Sequence, residues 1–147
     1  MAVEKQELYE LMNRNPVFHL ATIDGDQPRV RGMFLFRADQ DGILFHTGAM
    51  KPLYRQVRET PNVELCFFDP KSNLQVRVSG SLEIVEDHAL KDEIYDHPTR
   101  AFLKGWRENG ALADFYQSFI VFRLKQGRAT TWSMASNFDA PQPIQLD

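Results

Sequence analysis

Apolar and polar residues alternate from Leu74 to Val85. Leu74, Val76, Val78, Leu82 and Ile84 fall on one face, and Gln75, Arg77, Ser79, Ser81 and Glu83 on the other. A period of two marks a half-buried strand. Gly80, in its middle, predicts a bend, a bulge or a close approach. Similar runs predict strands at Val17 to Ile23, Arg29 to Arg37, Ile43 to Thr47, Val63 to Phe68, Phe119 to Lys125 and Ala129 to Met134. Turn-forming clusters separate them: Asp24 to Pro28 as a five-residue hairpin loop, Asp39 to Gly42, Asp69 to Asn73, and Gln126-Gly127.

Helical spacing appears elsewhere. Glu4 to Met12 sets Leu8, Leu11 and Met12 on one side. Lys51 to Glu59 sets Leu53 and Val57 on one face, and Pro61 follows its stop. Asp87 to Asp96, Arg100 to Trp106 and Leu112 to Gln117 also read as helical. The tail, 137–147, contains two prolines and is expected to be an arm or disordered. About seven strands, mostly joined by short turns, with helices after the third and fifth, predict a mainly β fold. The expected architecture is an antiparallel barrel with helical insertions.

The 147 residues predict a single domain, 1–147, with room for a substantial core. Hydrophobic residues make up 43% and charged ones 25%, the balance of an ordinary soluble globular chain. A net charge of −3 and a pI near 5.8 argue against the broad basic footprint that nucleic acid requires. No apolar run is long enough to span a bilayer, and Met1 to Met12 lacks the apolar core of a signal peptide. The one cysteine, Cys66, excludes an internal disulfide and fits a reducing, cytoplasmic setting.

Two basic elements stand out against this acidic background. Arg29 and Arg31 are two apart on a strand, so they share a face. Two adjacent guanidiniums repel unless an anion joins them, and a phosphate matches their planar donors. They could equally be two solvated arginines at a strand start. Thr47-Gly48-Ala49-Met50-Lys51 runs from a strand end into a helix start. A helix N-terminus offers unpaired N–H groups and partial positive charge. Lys51 there opposes the helix dipole, which favours an anion ligand over a purely structural role. The alternative is Thr47 as an ordinary cap beside an exposed Lys51. Arg55, one turn on, could reinforce the charge. Gln75 and Arg77 share the polar face of the longest strand, where Gln75 could meet a heterocycle edge or simply face solvent.

The order of these segments resembles the FMN-binding split β-barrel superfamily typified by pyridoxamine 5′-phosphate oxidase. The carrying segments are Phe18 to Thr22 followed by Gln27 to Arg31, Phe45 to Gly48 followed by Lys51-Pro52, Asn62 to Phe67, and Gln75 to Gly80. Within the superfamily the chain is most similar to the small general-stress and NimA/NimC-like flavin proteins. The resemblance implies an antiparallel split β-barrel and a homodimer that binds FMN in clefts between two barrels. It implies that Arg29 and Arg31 meet the phosphate or the adjacent flavin edge, and that Thr47 and Lys51 complete the phosphate site. Gln75 would contact the isoalloxazine region or ribityl chain from the partner subunit. Trp132 would line the flavin cleft, or else be a core or dimer-contact tryptophan.

The implied function is that of an FMN-dependent oxidoreductase with a small-molecule electron donor and a small oxidised acceptor. Alternatives are a non-catalytic FMN carrier or sensor, or a protein that binds the deazaflavin F420. The segment Thr130 to Met134 lacks the Arg-rich, Trp-containing ending of true pyridoxamine phosphate oxidases, so pyridoxal phosphate synthesis is not implied. His46 is the candidate for an active role, because a histidine in this region of the NimA-like branch is tied to its chemistry. It could face the cleft or the opposite side. His88 and His97 show no metal-ligand spacing, so no metal site is expected. Cys66, between Leu65 and Phe67, reads as a buried small residue.

Overall fold

The computed structural model describes residues 3–147; Met1 and Ala2, at the head of the charged N-terminal stretch, lie outside the described residues. Helix α1 (Lys5–Arg14) precedes the hairpin β1 (Val17–Asp24) and β2 (Gln27–Phe34). Next come β3 (Arg37–Asp39), β4 (Gly42–Gly48), α2 (Pro52–Glu59), β5 (Asn62–Asp69) and β6 (Leu74–Ile84). A helical excursion follows, made of α3 (His88–Asp96), a 3-10 turn (Pro98–Arg100), α4 (Phe102–Glu108) and α5 (Phe115–Ser118). The chain closes with β7 (Phe119–Leu124), β8 (Arg128–Trp132) and β9 (Ile144–Gln145).

Among the described residues nine strands form one antiparallel sheet, ordered β2-β1-β5-β6-β7-β4-β3, with β8 on β6 and β9 on β8. The sheet curls like a split barrel but does not close. Strand β6 belongs to both halves. On one edge it pairs with β5 through Ser81; on the other it pairs with β8 through Ser79 and then with β7 from Leu82. Gly80 sits at the change of partner. A Cβ there would come 3.3 Å from Leu124 Cδ2, so the expected close approach is real.

The alternating residues fill two apolar layers. Inside the barrel, Phe18 stacks on Phe67 at 4.7 Å and meets Phe45 edge-on at 5.2 Å. Under the helical excursion, Leu44, Leu90, Ile94, Leu103, Phe115 and Val121 form a second cluster. Strands β4 and β7 are therefore buried on both faces, which explains their nearly continuous apolar runs.

Several expectations need correction. The first hairpin turns in two residues, not five: Asp24 pairs with Gln27, and Gly25 takes φ of 65° at the corner. The strand expected at Arg29 to Arg37 ends at Phe34. Leu35 turns into the core, its N–H reaching Pro16 O at 2.8 Å, and a short β3 resumes with β4. The uniform apolar run Met33 to Phe36 hid that corner. Helix α2 begins at Pro52, with Lys51 as its cap residue. The tail is not disordered at its end. Ile144 pairs with Ala129, Leu146 is buried, and Asp147 Oδ1 meets Lys5 Nζ at 2.6 Å. Pro141 and Pro143 resist helix and keep the chain extended into that strand. No helix among the described residues is long and apolar enough to cross a membrane.

Leu146→Ala should lower unfolding free energy by about 2–5 kcal/mol, the usual result of emptying a buried leucine site. Urea denaturation measures it, and an unchanged midpoint would mean that the tail is not docked.

Candidate functional site

Strand β2 ends the sheet path on one side and β4 lies next to its other end, and the seam between them opens into a cavity of about 680 Å³. Its polar lining includes Arg31 from β2, Thr47 from β4 and Lys51, the residue before α2. Its walls are apolar: Phe34 and Met33 on one side, Phe102, Leu103 and Trp106 of α4 on another, with Phe119 and Met50 beside them.

Arg31 points inward because it lies opposite Leu20 in the hairpin register. Its inner edge is held on three acceptors: Leu20 O at 3.2 Å, Thr22 Oγ1 at 2.8 Å and Gln56 Oε1 at 2.7 Å. The Thr22 hydroxyl in turn donates to Gln56 Oε1 at 2.7 Å. Thr22 and Gln56 are both buried, and neither carries charge. Burial pulls the Arg31 pKa down, yet a guanidinium stays protonated at any ordinary pH. The result is a cation fixed in direction but not neutralised.

Gly48 ends β4 and opens a tight turn in which Lys51 N donates to Gly48 O at 3.0 Å. Pro52 follows at the first helical position, where its missing N–H does no harm. Lys51 makes no side-chain cap bond, so it serves the helix poorly as a cap. Among the described residues, Lys51 Nζ and Thr47 Oγ1 have no hydrogen-bond partner on the protein, and Lys51 has no ion pair. Three donors thus line one cavity. They can bind an anion with bonds of about 1.5–3 kcal/mol each.

The other expected site residues lie elsewhere in this chain. Arg29 is exposed and pairs with Asp24 at 3.2 Å, outside the cavity. Arg55 takes the other Asp24 oxygen at 3.2 Å and also meets Glu59. Hydrogen bonds from Arg55 and then Arg29 hold the Asp24 carboxyl below its ordinary pKa. Gln75 and Trp132 face each other across β6 and β8 on the sheet's outer face, and Trp132 Nε1 donates to Asn137 Oδ1 at 2.9 Å. Neither lines the cavity. Cys66 is half-buried, and burial pushes its thiol pKa up.

His46 does line the cavity. Its Nε2 accepts a 2.8 Å hydrogen bond from Arg100 Nε. Burial, and then the Arg100 charge, push the imidazole pKa down to about 3. The ring is neutral wherever the protein is folded near neutral pH.

Thr22, Gln56 and Arg100 were not foreseen as site residues. Thr22 and Gln56 each put a polar group where the apolar period expects a core residue: Thr22 after Phe18 and Leu20, and Gln56 between Leu53 and Val57. That mismatch was the available signal. Arg100 gives no such signal, because charge at a helix start is unremarkable in sequence.

The sequence profile of the pyridoxamine 5′-phosphate oxidase family matches residues 4–131, most of the chain and all of the residues that form the cavity. The chain belongs to that family. The pyridoxine/pyridoxamine 5′-phosphate oxidase of Rhizobium meliloti (strain 1021) is 30% identical over 105 residues, 71% of this chain and 50% of that protein. This chain therefore spans about half the length of such relatives. Two solved structures share its fold. A NimC/NimA family protein from Clostridium acetobutylicum superposes with a TM-score of 0.75 at 22% identity, covering 96% of this chain and 92% of that one. A pyridoxamine 5′-phosphate oxidase-related, FMN-binding protein from Nostoc punctiforme does so with a TM-score of 0.68 at 16% identity, covering 100% and 98%. These neighbours are split-barrel folds, in agreement with the resemblance seen in the sequence.

Gln56→Leu should lower stability by about 1–3 kcal/mol, because Arg31 and Thr22 lose a shared buried acceptor. Gln56→Glu, which keeps the acceptor, should fall by less. Equal denaturation midpoints for Gln56→Leu and the parent would show that the Arg31 clamp contributes nothing.

Proposed function

We propose that this protein is an FMN-dependent oxidoreductase and that the cavity's polar corner holds the cofactor phosphate. The observation that carries this reading is the Arg31 guanidinium, clamped on its inner edge by neutral acceptors beside the partnerless Thr47 hydroxyl and Lys51 ammonium. A dianion there would meet fixed donors and a helix N-terminus together. The fit extends to the walls, since a flat ring system matches the apolar surface of Phe34, Phe102 and Trp106. FMN, when bound, supplies the electron-transfer chemistry. The protein's share is to anchor the phosphate, orient the ring system and exclude water from it. Arg29, tied to Asp24, then acts at most as a peripheral cation.

The functional unit in this reading is a homodimer. Val17, Val30 and Phe68 are 68%, 69% and 49% exposed. The strand register places all three on the outer face of the same half-sheet, together with Gln75 and Trp132. An apolar patch of this kind fits a second copy of the chain. Phe34 lies opposite Val17 in that register and also lines the cavity, so the patch borders the site. Gln75 and Trp132 of the partner subunit would then complete the flavin contacts that a single chain leaves open. A small-molecule electron donor such as a reduced nicotinamide, and a small oxidised acceptor, would use the remaining space.

FMN titration, followed by the shift of the flavin absorption band, tests the reading. Binding at micromolar concentrations is expected. Arg31→Ala combined with Lys51→Ala should weaken it by at least about a hundredfold, two charge-assisted bonds being lost. No FMN binding by the parent protein would defeat the proposal, and unchanged affinity in the double variant would move the phosphate elsewhere.

Val30→Glu should convert a dimer into a monomer in sedimentation equilibrium and weaken FMN binding with it. A parent protein that sediments as a monomer would remove the dimer from the proposal.

A further inference from the structure

The phosphate corner uses Arg31, Thr47 and Lys51 and leaves His46 and Arg100 without a role. Arg100 is 1% exposed, an expensive place for a charge, and among the described residues no carboxylate pairs with it. Its donors are satisfied by neutral groups instead. Nη2 reaches Leu35 O at 2.8 Å, Nη1 reaches Thr99 Oγ1 at 2.9 Å, and Nε reaches His46 Nε2 at 2.8 Å. The guanidinium also lies 4.1 Å from the Phe34 ring centre, a cation–π contact.

A guanidinium only donates. His46 Nε2 must therefore present its lone pair, and the proton of the neutral ring must sit on Nδ1. A second proton on the ring would set N–H against N–H and cation against cation. Arg100 is the charged group that faces the ring; its other close neighbours are the Phe119 ring at 5.0 Å and the Phe102 ring at 6.4 Å. Nδ1 has no protein partner among the described residues, and it is not one of the sealed, partnerless polar atoms. The ring itself lines the cavity.

We propose that Arg100 is a positioning residue that locks His46 as the Nδ1–H tautomer, and that this N–H is the cavity's fixed donor to a lone-pair oxygen of a flat, uncharged substrate. The substrate class follows from the surroundings. The wall beside His46 is aromatic, and among the described residues no carboxylate lines the cavity to receive a cationic substrate, while its two cations, Arg31 and Lys51, are taken by the phosphate in the flavin reading and leave none for an anionic one. His46 polarises the acceptor atom and keeps its proton. The tautomer stands independently of FMN; only the word substrate rests on the flavin reading.

The test is histidine-selective nitrogen-15 NMR of the full chain, with the His46 signals assigned by their loss in His46→Gln. Wild type should show a protonated Nδ1 and an unprotonated Nε2, unchanged from roughly pH 5 to 8, the range in which ordinary histidines titrate. Arg100→Lys retains a donor and should preserve the pattern. Arg100→Met removes it and should let the ring sample both tautomers and titrate nearer its ordinary value of about 6.5. Acetophenone, a flat ketone, should shift the Nδ1–H resonance of the FMN-loaded protein. A protonated Nε2 in wild type, or an Arg100→Met spectrum like wild type, overturns the tautomer lock. Should Arg100→Met not fold, the wild-type and Arg100→Lys spectra still decide. An Nδ1–H signal unmoved at the ketone's solubility limit overturns the donor role. Failure of FMN to bind would defeat the flavin reading without touching the spectra of the unloaded protein.

Discussion

The architecture depends on the contact of Leu124 with two glycines. Its side chain occupies the space where Gly80 and Gly127 have no Cβ. Any larger residue at Gly127 would collide with Leu124 and Val78. That fit lets β6 pass from one half of the barrel to the other without a break. Because β6 is shared, β1 and β5 lie to one side of it on the sheet path and β7 and β4 to the other, and the sheet does not close. The cavity lies in the seam left open. Arg31 comes from one lip, and His46 and Thr47 from the other. The site is thus a consequence of incomplete closure, with the helical excursion covering what the sheet leaves uncovered.

Two guanidiniums in this seam are handled in the same way. Arg31 is half-buried and Arg100 fully buried, and both are satisfied by carbonyl, hydroxyl, amide or imidazole acceptors without a carboxylate. A carboxylate partner would have lowered the desolvation penalty but cancelled the charge. Neutral acceptors orient the group and leave its field intact. For Arg31 that field is directed at the cavity corner. For Arg100 it is directed at a histidine, whose protonation it opposes. Arg29 and Arg55, by contrast, are consumed by Asp24 at the surface, so the four arginines divide by partner type more clearly than by position in sequence.

Period-two alternation made most strands legible, and β6 most of all. The barrel and the insertion points of the helices followed from strand count and turn residues. The corner at Leu35 was hidden because an apolar residue turning into a second core layer looks like one continuing a strand. The ending β9 was hidden because two residues of pairing leave no period to read. Among the residues that line the cavity, Arg31, Thr47 and Lys51 were legible as candidates from charge and placement. The inequality of Arg29 and Arg31 was not, because it depends on Asp24 and Gln56, which the fold brings in from other elements. Arg100 was the least legible of all. Its meaning comes from meeting His46 across 54 positions of sequence, and no local pattern encodes that.

A strand held by both halves also couples their opening. Strand β6 is paired along both edges, to β5 on one and to β8 and then β7 on the other, so exposing all of its amides requires both edges to open. The short β3 has a single partner strand, and β2 is paired on one edge alone. Opening there costs less and leaves β6 undisturbed. The molecule therefore carries a stiff spine and a compliant rim, and Arg31 sits on the rim. Entry of a ligand into the seam can draw on local breathing of β2 while the distant hydrogen-bond ladder keeps its register.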